Sequence, residues 1–224
     1  MGYTIDFSTL SIDAYGDSLK KKTLIPSQKI LQEGLEEKLA YFKSIGIKTV
    51  LELQKILKNK QRLSELAQAP GLSEIYLTTL LREINGRQPK PRKLMDFVHI
   101  PKATIEKLQQ LGIKNTVHLY DKVLTDQSRR QFAQETGIAI EDILKLARLT
   151  DLTRIQWVNT TFAWVLYQAG YDTVDKVATA DYEELYKNIK RLNDERSLYK
   201  GHIGLNDMKI CVEAAQEVKQ EMVL

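Results

Sequence analysis

Three short segments of the chain repeat one pattern, and that pattern restricts the backbone more than any other feature. They are Ile45-Gly46-Ile47-Lys48-Thr49-Val50, Leu111-Gly112-Ile113-Lys114-Asn115-Thr116-Val117 and Ala169-Gly170-Tyr171-Asp172-Thr173-Val174. Each has an apolar residue, a Gly, a second apolar residue, a short polar step and then Thr-Val. The pattern predicts a helix, a tight corner and a second helix. The Gly stands where the chain leaves the first helix in a left-handed conformation, which costs least without a Cβ. The apolar residue after it folds back on the last turn of the helix it leaves. Thr49, Thr116 and Thr173 are placed to cap the next helix, and Thr49 with Glu52 spells a capping box.

A second corner recurs at a fixed distance. Gly71 follows Gly46 by 25 residues, and Gly137 follows Gly112 by the same 25. The equal interval points to an internally duplicated unit with two helical corners. A third, stretched copy has its second corner at Gly201-His202-Ile203-Gly204-Leu205. Between corners, apolar residues recur at helical spacing, as in Leu35, Leu39 and Phe42, or Ile105, Leu108 and Leu111. No stretch of useful length alternates like a strand. The expected fold is all-α, with three tandem helical repeats sharing one core. The expected divisions are an arm at 1–28, a first repeat with a basic linker at 29–93, a second repeat at 94–152 and a third at 153–224. In the arm, Tyr3, Ile5 and Phe7 alternate with polar residues and predict an extended segment, and Ser11 predicts the cap of a short helix.

Composition narrows the functional classes. The net charge is +4, from 33 Lys and Arg against 29 Asp and Glu, so only local clustering of cations bears on a polyanionic partner. No apolar run approaches the roughly 18 residues a membrane span needs. The N-terminus lacks the basic-then-apolar layout of a signal peptide, and Phe7 stands where a myristoylation signal wants Ser or Thr. The single cysteine, Cys211, fits a buried thiol in a reducing compartment, so a cytoplasmic location is expected. His99, His118 and His202 have no metal-binding spacing, so no metal is expected. Without a phosphate loop, a nucleophile elbow or a paired-acid constellation, no enzymatic activity and no cofactor are expected. Trp157 and Trp164 are seven apart and would share one face if a single helix held both; core packing is the expected role, with base stacking as the alternative.

Short helices joined by an apolar-Gly-apolar corner, with Thr-Val opening the next helix, resemble helix-hairpin-helix domains. The closer resemblance is to domain-of-unknown-function family 4332, a largely bacterial group without an assigned activity. The segments that carry it are LAYFKSIGIKTVLEL, IEKLQQLGIKNTVHLYDKV and DLTRIQWVNTTFAWVLYQAGYDTVDKVA, and the resemblance extends from about Lys29 onward. It implies a scaffold that in helix-hairpin-helix proteins commonly binds DNA without sequence preference, through Gly-x-Gly before the second helix. The positional counterparts here are Gln32-Glu33-Gly34-Leu35, His99-Ile100-Pro101-Lys102 and Gln156-Trp157-Val158-Asn159. None has Gly-x-Gly. Glu33 repels phosphate, Pro101 has no N–H, and Trp157 obstructs close backbone approach.

The basic linker Arg87, Lys90, Arg92 and Lys93 is the strongest positive cluster: either it tracks a phosphate backbone, with Pro89 and Pro91 keeping it extended, or it is a solvated inter-repeat linker whose charge only aids solubility. Lys58, Lys60 and Arg62 form a second cluster at a helix end, where dipole complementarity is an alternative explanation. Gly201 and Gly204 are the best remaining phosphate nest. The expected function is sequence-non-specific binding of nucleic acid, DNA in particular. The alternative is a protein-interaction scaffold that kept the fold without phosphate binding.

Overall fold

The computed structural model describes residues 2–224, so Met1, the first residue of the expected arm, lies outside the described residues. The chain forms two compact units, residues 3–88 and residues 89–224. Among the described residues there is no β-strand. Strand-like pairing is limited to two isolated bridges, Ser11 with Thr49 and Lys93 with Asn115. The chain is all-α.

The first unit contains α1 (Ile12–Lys21), a 3-10 turn (Pro26–Gln32), α2 (Leu35–Ser44), α3 (Val50–Lys58), α4 (Lys60–Leu66) and α5 (Glu74–Arg87). Its core includes Tyr15, Leu19, Phe42, Val50, Leu53, Leu77 and Ile84, all essentially without solvent exposure. Phe7 and Ile12 join the same cluster. The N-terminal segment is thus part of this unit. It turns rather than running extended, because Phe7 and Tyr3 both find buried places close to the helices. Ser11 caps α1 as its sequence predicts, accepting from the Ala14 N–H at 3.1 Å.

The second unit contains a 3-10 turn (Leu94–Asp96), α6 (Lys102–Gln110), α7 (Thr116–Tyr120), α8 (Asp126–Thr136), α9 (Ile140–Leu152), α10 (Thr160–Gln168), α11 (Val174–Ala178), α12 (Tyr182–Arg196) and α13 (Leu205–Gln216). α11 and α12 pack on α13, and α7, α8 and α10 each pack on α9. The α9 sequence explains its central place. Ile143, Leu146, Ala147, Leu149 and Leu152 make it apolar over more than one stripe, and all are buried.

The three corners share one geometry. Gly46, Gly112 and Gly170 have φ of 87°, 80° and 89°. In each, the Gly N–H donates to the carbonyl three residues back, and the next residue donates to the carbonyl five back. The second set of bonds is Ile47 to Phe42 at 3.0 Å, Ile113 to Leu108 at 2.9 Å and Tyr171 to Leu166 at 2.9 Å. This is the Schellman arrangement, which satisfies the last carbonyls of a helix. Gly46→Ala is expected to lower the stability of the first unit by about 1–2 kcal/mol, the left-handed penalty of a Cβ, measured as a shift in urea midpoint. An unchanged midpoint would contradict the corner geometry.

The cap of the next helix is always the third residue after the Gly. That residue is Thr49 in the first copy, with the full capping box to Glu52, and Thr173 in the third. In the second copy it is Asn115, which accepts from the His118 N–H at 3.0 Å. Thr116, expected as the cap, is instead the first residue of α7. Its buried hydroxyl accepts the Arg92 N–H at 3.0 Å. The inserted Asn115 takes the capping place because the Gly sets the register. Ser73 caps α5 as expected, and Gly71 and Gly137 are left-handed at the second corners. The second corner expected at Gly201–Gly204 differs. Gly201 and Gly204 are not left-handed, and the residue that closes α12 with positive φ is Ser197, at 51°.

Candidate nucleic-acid interface

The candidate cations divide into two groups once folded. Arg87 is not in an exposed linker. It is the last residue of α5 and is only 7% exposed. Its Nε donates to Glu83 Oε1 at 2.7 Å, its Nη1 donates to Ser18 Oγ at 3.0 Å, and its guanidinium lies 4.6 Å from the centre of the Tyr15 ring. Tyr15 donates its hydroxyl to Glu83, and Lys22 Nζ stands 3.7 Å from the same carboxylate. Arg87 thus binds α1 to α5 from inside the first unit. Helical spacing makes this possible, since Glu83 and Arg87 are four residues apart among Leu80, Leu81 and Ile84.

Arg92 is half-buried in the second unit, with its Nη2 donating to the Val158 carbonyl at 3.1 Å. Its own backbone is held as well. The Thr116 N–H donates to the Arg92 carbonyl at 2.9 Å and the Leu94 N–H donates to the Lys114 carbonyl at 3.0 Å. The segment around Lys93 therefore runs beside the α6–α7 corner as a short clip. The first unit has the same pair of bonds at its first corner, Val50 N–H to Leu10 and Ile12 N–H to Lys48. Lys90 and Lys93 remain exposed.

Lys58, Lys60 and Arg62 are all exposed, and Lys55, which the sequence reading passed over, joins them. Among the described residues, none of the four forms an ion pair. Nearby carboxylates have neutral partners: Gln61 donates to Glu65 and Ser64 donates to Glu74. Dipole complementarity explains only half of the cluster. Lys55 and Lys58 close α3, where a cation is favoured, but Lys60 and Arg62 open α4, whose first turn has no acidic residue. Two cations there are repelled by the helix end as well as by each other.

Gly201 and Gly204 do not form an open nest. The Gly204 N–H donates to Asp207 Oδ2 at 2.9 Å, so a carboxylate of the chain already occupies the N-terminal end of α13. Because α13 opens with Asp207 in its first turn, a phosphate there meets a like charge.

Aromatic residues add a feature that spacing did not show. His99, Trp164 and Tyr167 form a column of stacked rings, with centroids 4.0 Å apart in the first pair and 5.4 Å in the second. Burial and the Lys145 charge lower the His99 pKa, which favours the neutral ring against Trp164. Trp157 is not a core residue. It is 58% exposed, on a turn, with a φ of 72°. Seven-residue spacing suggested a shared helix face with Trp164, but α10 begins only at Thr160.

A family comparison places the second unit. Residues 99–218 match the family described as Domain of unknown function (DUF4332), over more than half of the 224 residues. The chain belongs to this family. The DUF4332 match takes in α6 through α13 and two of the three glycine corners, those of Gly112 and Gly170. The segment LAYFKSIGIKTVLEL lies outside the match, as does the rest of the chain before His99. No curated protein and no solved structure matches the chain. Among the described residues no helix is long and apolar enough to cross a membrane, and no cluster of His, Cys, Asp and Glu is arranged to hold a metal ion.

Proposed function

We propose that this chain is a non-enzymatic module that binds nucleic-acid backbones without sequence preference, on tandem helical corners of the helix-hairpin-helix kind. The observation that supports this most is the cluster Lys55, Lys58, Lys60 and Arg62. Its four cations are exposed, lack carboxylate partners, and include two placed against a helix dipole. Such an arrangement costs stability in the free protein and is relieved by a polyanion. Lys90 and Lys93 extend the reading to the second unit. Arg87 and Gly204 do not contribute, since the Arg87 guanidinium and the Gly204 N–H are already engaged within the chain, and Gly201 alone makes no nest.

Binding of labelled DNA, followed by fluorescence anisotropy at two salt concentrations, tests the reading. Four phosphate contacts imply a loss of about a hundredfold in affinity between roughly 50 and 200 mM salt. Replacing Lys55, Lys58, Lys60 and Arg62 together by Gln should remove most of that salt dependence. No binding at the lower salt, or a slope unaltered in the variant, refutes the assignment. A protein-interaction scaffold is the second reading, favoured by the solvent-exposed Met95 and Val98 in the turn before α6, which are 61% and 77% exposed.

A further inference from the structure

The turn before α10 has two destabilising features at one residue. The Val158 N–H closes it by donating to the Ile155 carbonyl at 3.1 Å, which leaves Trp157 at the third position of the turn. A positive φ is required there, and Gly or Asn is the usual occupant. A bulky residue with φ of 72° is a backbone outlier, of the kind that collects at functional sites. The indole obtains little packing in return, since 58% of the residue faces solvent while both neighbours, Gln156 and Val158, are buried. The turn is held still. Arg92 donates to the Val158 carbonyl and Asn159 caps α10 by accepting from the Phe162 N–H at 2.8 Å.

The local sequence is predominantly basic, with exposed Asp96 the acid that follows the clip segment. No Asp or Glu occurs from Leu152 to Tyr171. The segment that Arg92 fastens to the turn, residues 89–95, contains Lys90, Arg92 and Lys93 and no acid. A rigidly presented indole among cations has the chemistry of a base-stacking platform: the ring takes the face of an unpaired base, and the cations follow the backbone. A duplex offers no such face, because its bases are stacked on one another.

The geometry points to Trp157 as a stacking contact for an unpaired base of single-stranded nucleic acid, with Lys90 and Lys93 along its phosphates. This rests on the nucleic-acid reading above and narrows it to a strand type and a residue.

The test compares labelled oligo(dT) with a duplex of equal length, using the full chain and three variants. Trp157→Gly relieves the backbone and deletes the ring, Trp157→Phe keeps a ring, and Trp157→Leu keeps bulk without one. Expected results are an oligo(dT) affinity about tenfold weaker for Trp157→Gly and Trp157→Leu, and within about threefold of the parent for Trp157→Phe. Duplex affinity stays unchanged in all three, and the thermal midpoint of Trp157→Gly does not fall. If Trp157→Leu and Trp157→Gly bind oligo(dT) as the parent does, or weaken duplex binding equally, the stacking role is overturned while nucleic-acid binding stands. If Trp157→Phe loses as much as Trp157→Leu, the ring is not the contact. If the parent binds neither probe at low salt, the functional reading itself fails and this inference with it.

Discussion

Glu83→Ala should destabilise the first unit by about 3–5 kcal/mol, the cost of leaving a buried cation without its partner. Glu83 is 1% exposed and receives Arg87 Nε, the Tyr15 hydroxyl and, at longer range, Lys22. Arg87 and Lys22 are themselves 7% and 8% exposed. Removing the carboxylate takes the shared acceptor away from two buried positive charges. Hydrogen exchange of the amides in α1 and α5 gives the free energy directly, since those helices are the ones the network joins. Protection that falls by less than about 1 kcal/mol would show that water reaches the cluster. The double variant Glu83→Met with Arg87→Met should cost less than the sum of its single substitutions, because members of one network are not additive.

The second large effect is expected in the 89–224 unit. Arg154→Ala should cost about 3–5 kcal/mol for the same reason, and Arg154→Lys should not restore it. The Arg154 fork spans two unlike acceptors. Nη1 donates to Asp151 Oδ1 at 2.8 Å and Nη2 to the Lys219 carbonyl at 2.9 Å, while the guanidinium lies 4.7 Å from the Tyr120 ring centre. An ammonium has no fork to reach both. Burial raises the Asp151 pKa, and the charge and hydrogen bond of Arg154 act in the opposite direction. Loss of Arg154 also frees the segment after α13, which Arg129 holds farther on through the Val223 carbonyl at 2.8 Å. Both Trp residues, 157 and 164, belong to this unit, so intrinsic fluorescence during urea unfolding reports its stability. A midpoint unchanged in Arg154→Ala, or fully restored in Arg154→Lys, would exclude the fork.

The two networks show why some cations were misread. Arg87 stood in a run of basic residues before two prolines, and composition made it a linker residue. Its role depends on Tyr15 and Ser18, more than sixty residues away in sequence, and no local pattern reports such a contact. The signal that was present is the Glu83–Arg87 spacing on the face of α5 that carries Leu77, Leu80 and Ile84, which marks an ion pair on the buried side of the helix. Asp151 and Arg154, three apart beside Leu149, Leu152 and Ile155, have the same mark. Lys60 and Arg62 were misread in the opposite direction. The break at Asn59 puts them at the beginning of α4 and not at the end of α3, and the sign of the dipole reverses across that one residue.

Local sequence determined the helices and the corners that join them. Helical spacing of apolar residues, a glycine after the last turn and a capping side chain three residues later act within about ten residues, so the chain itself specifies them. Tertiary structure decided which cations face solvent, which glycines are open, and that Trp157 stands outside the core. Those outcomes depend on partners brought together from distant segments, and burial of a charge or a ring is a property of that assembly and not of the residue.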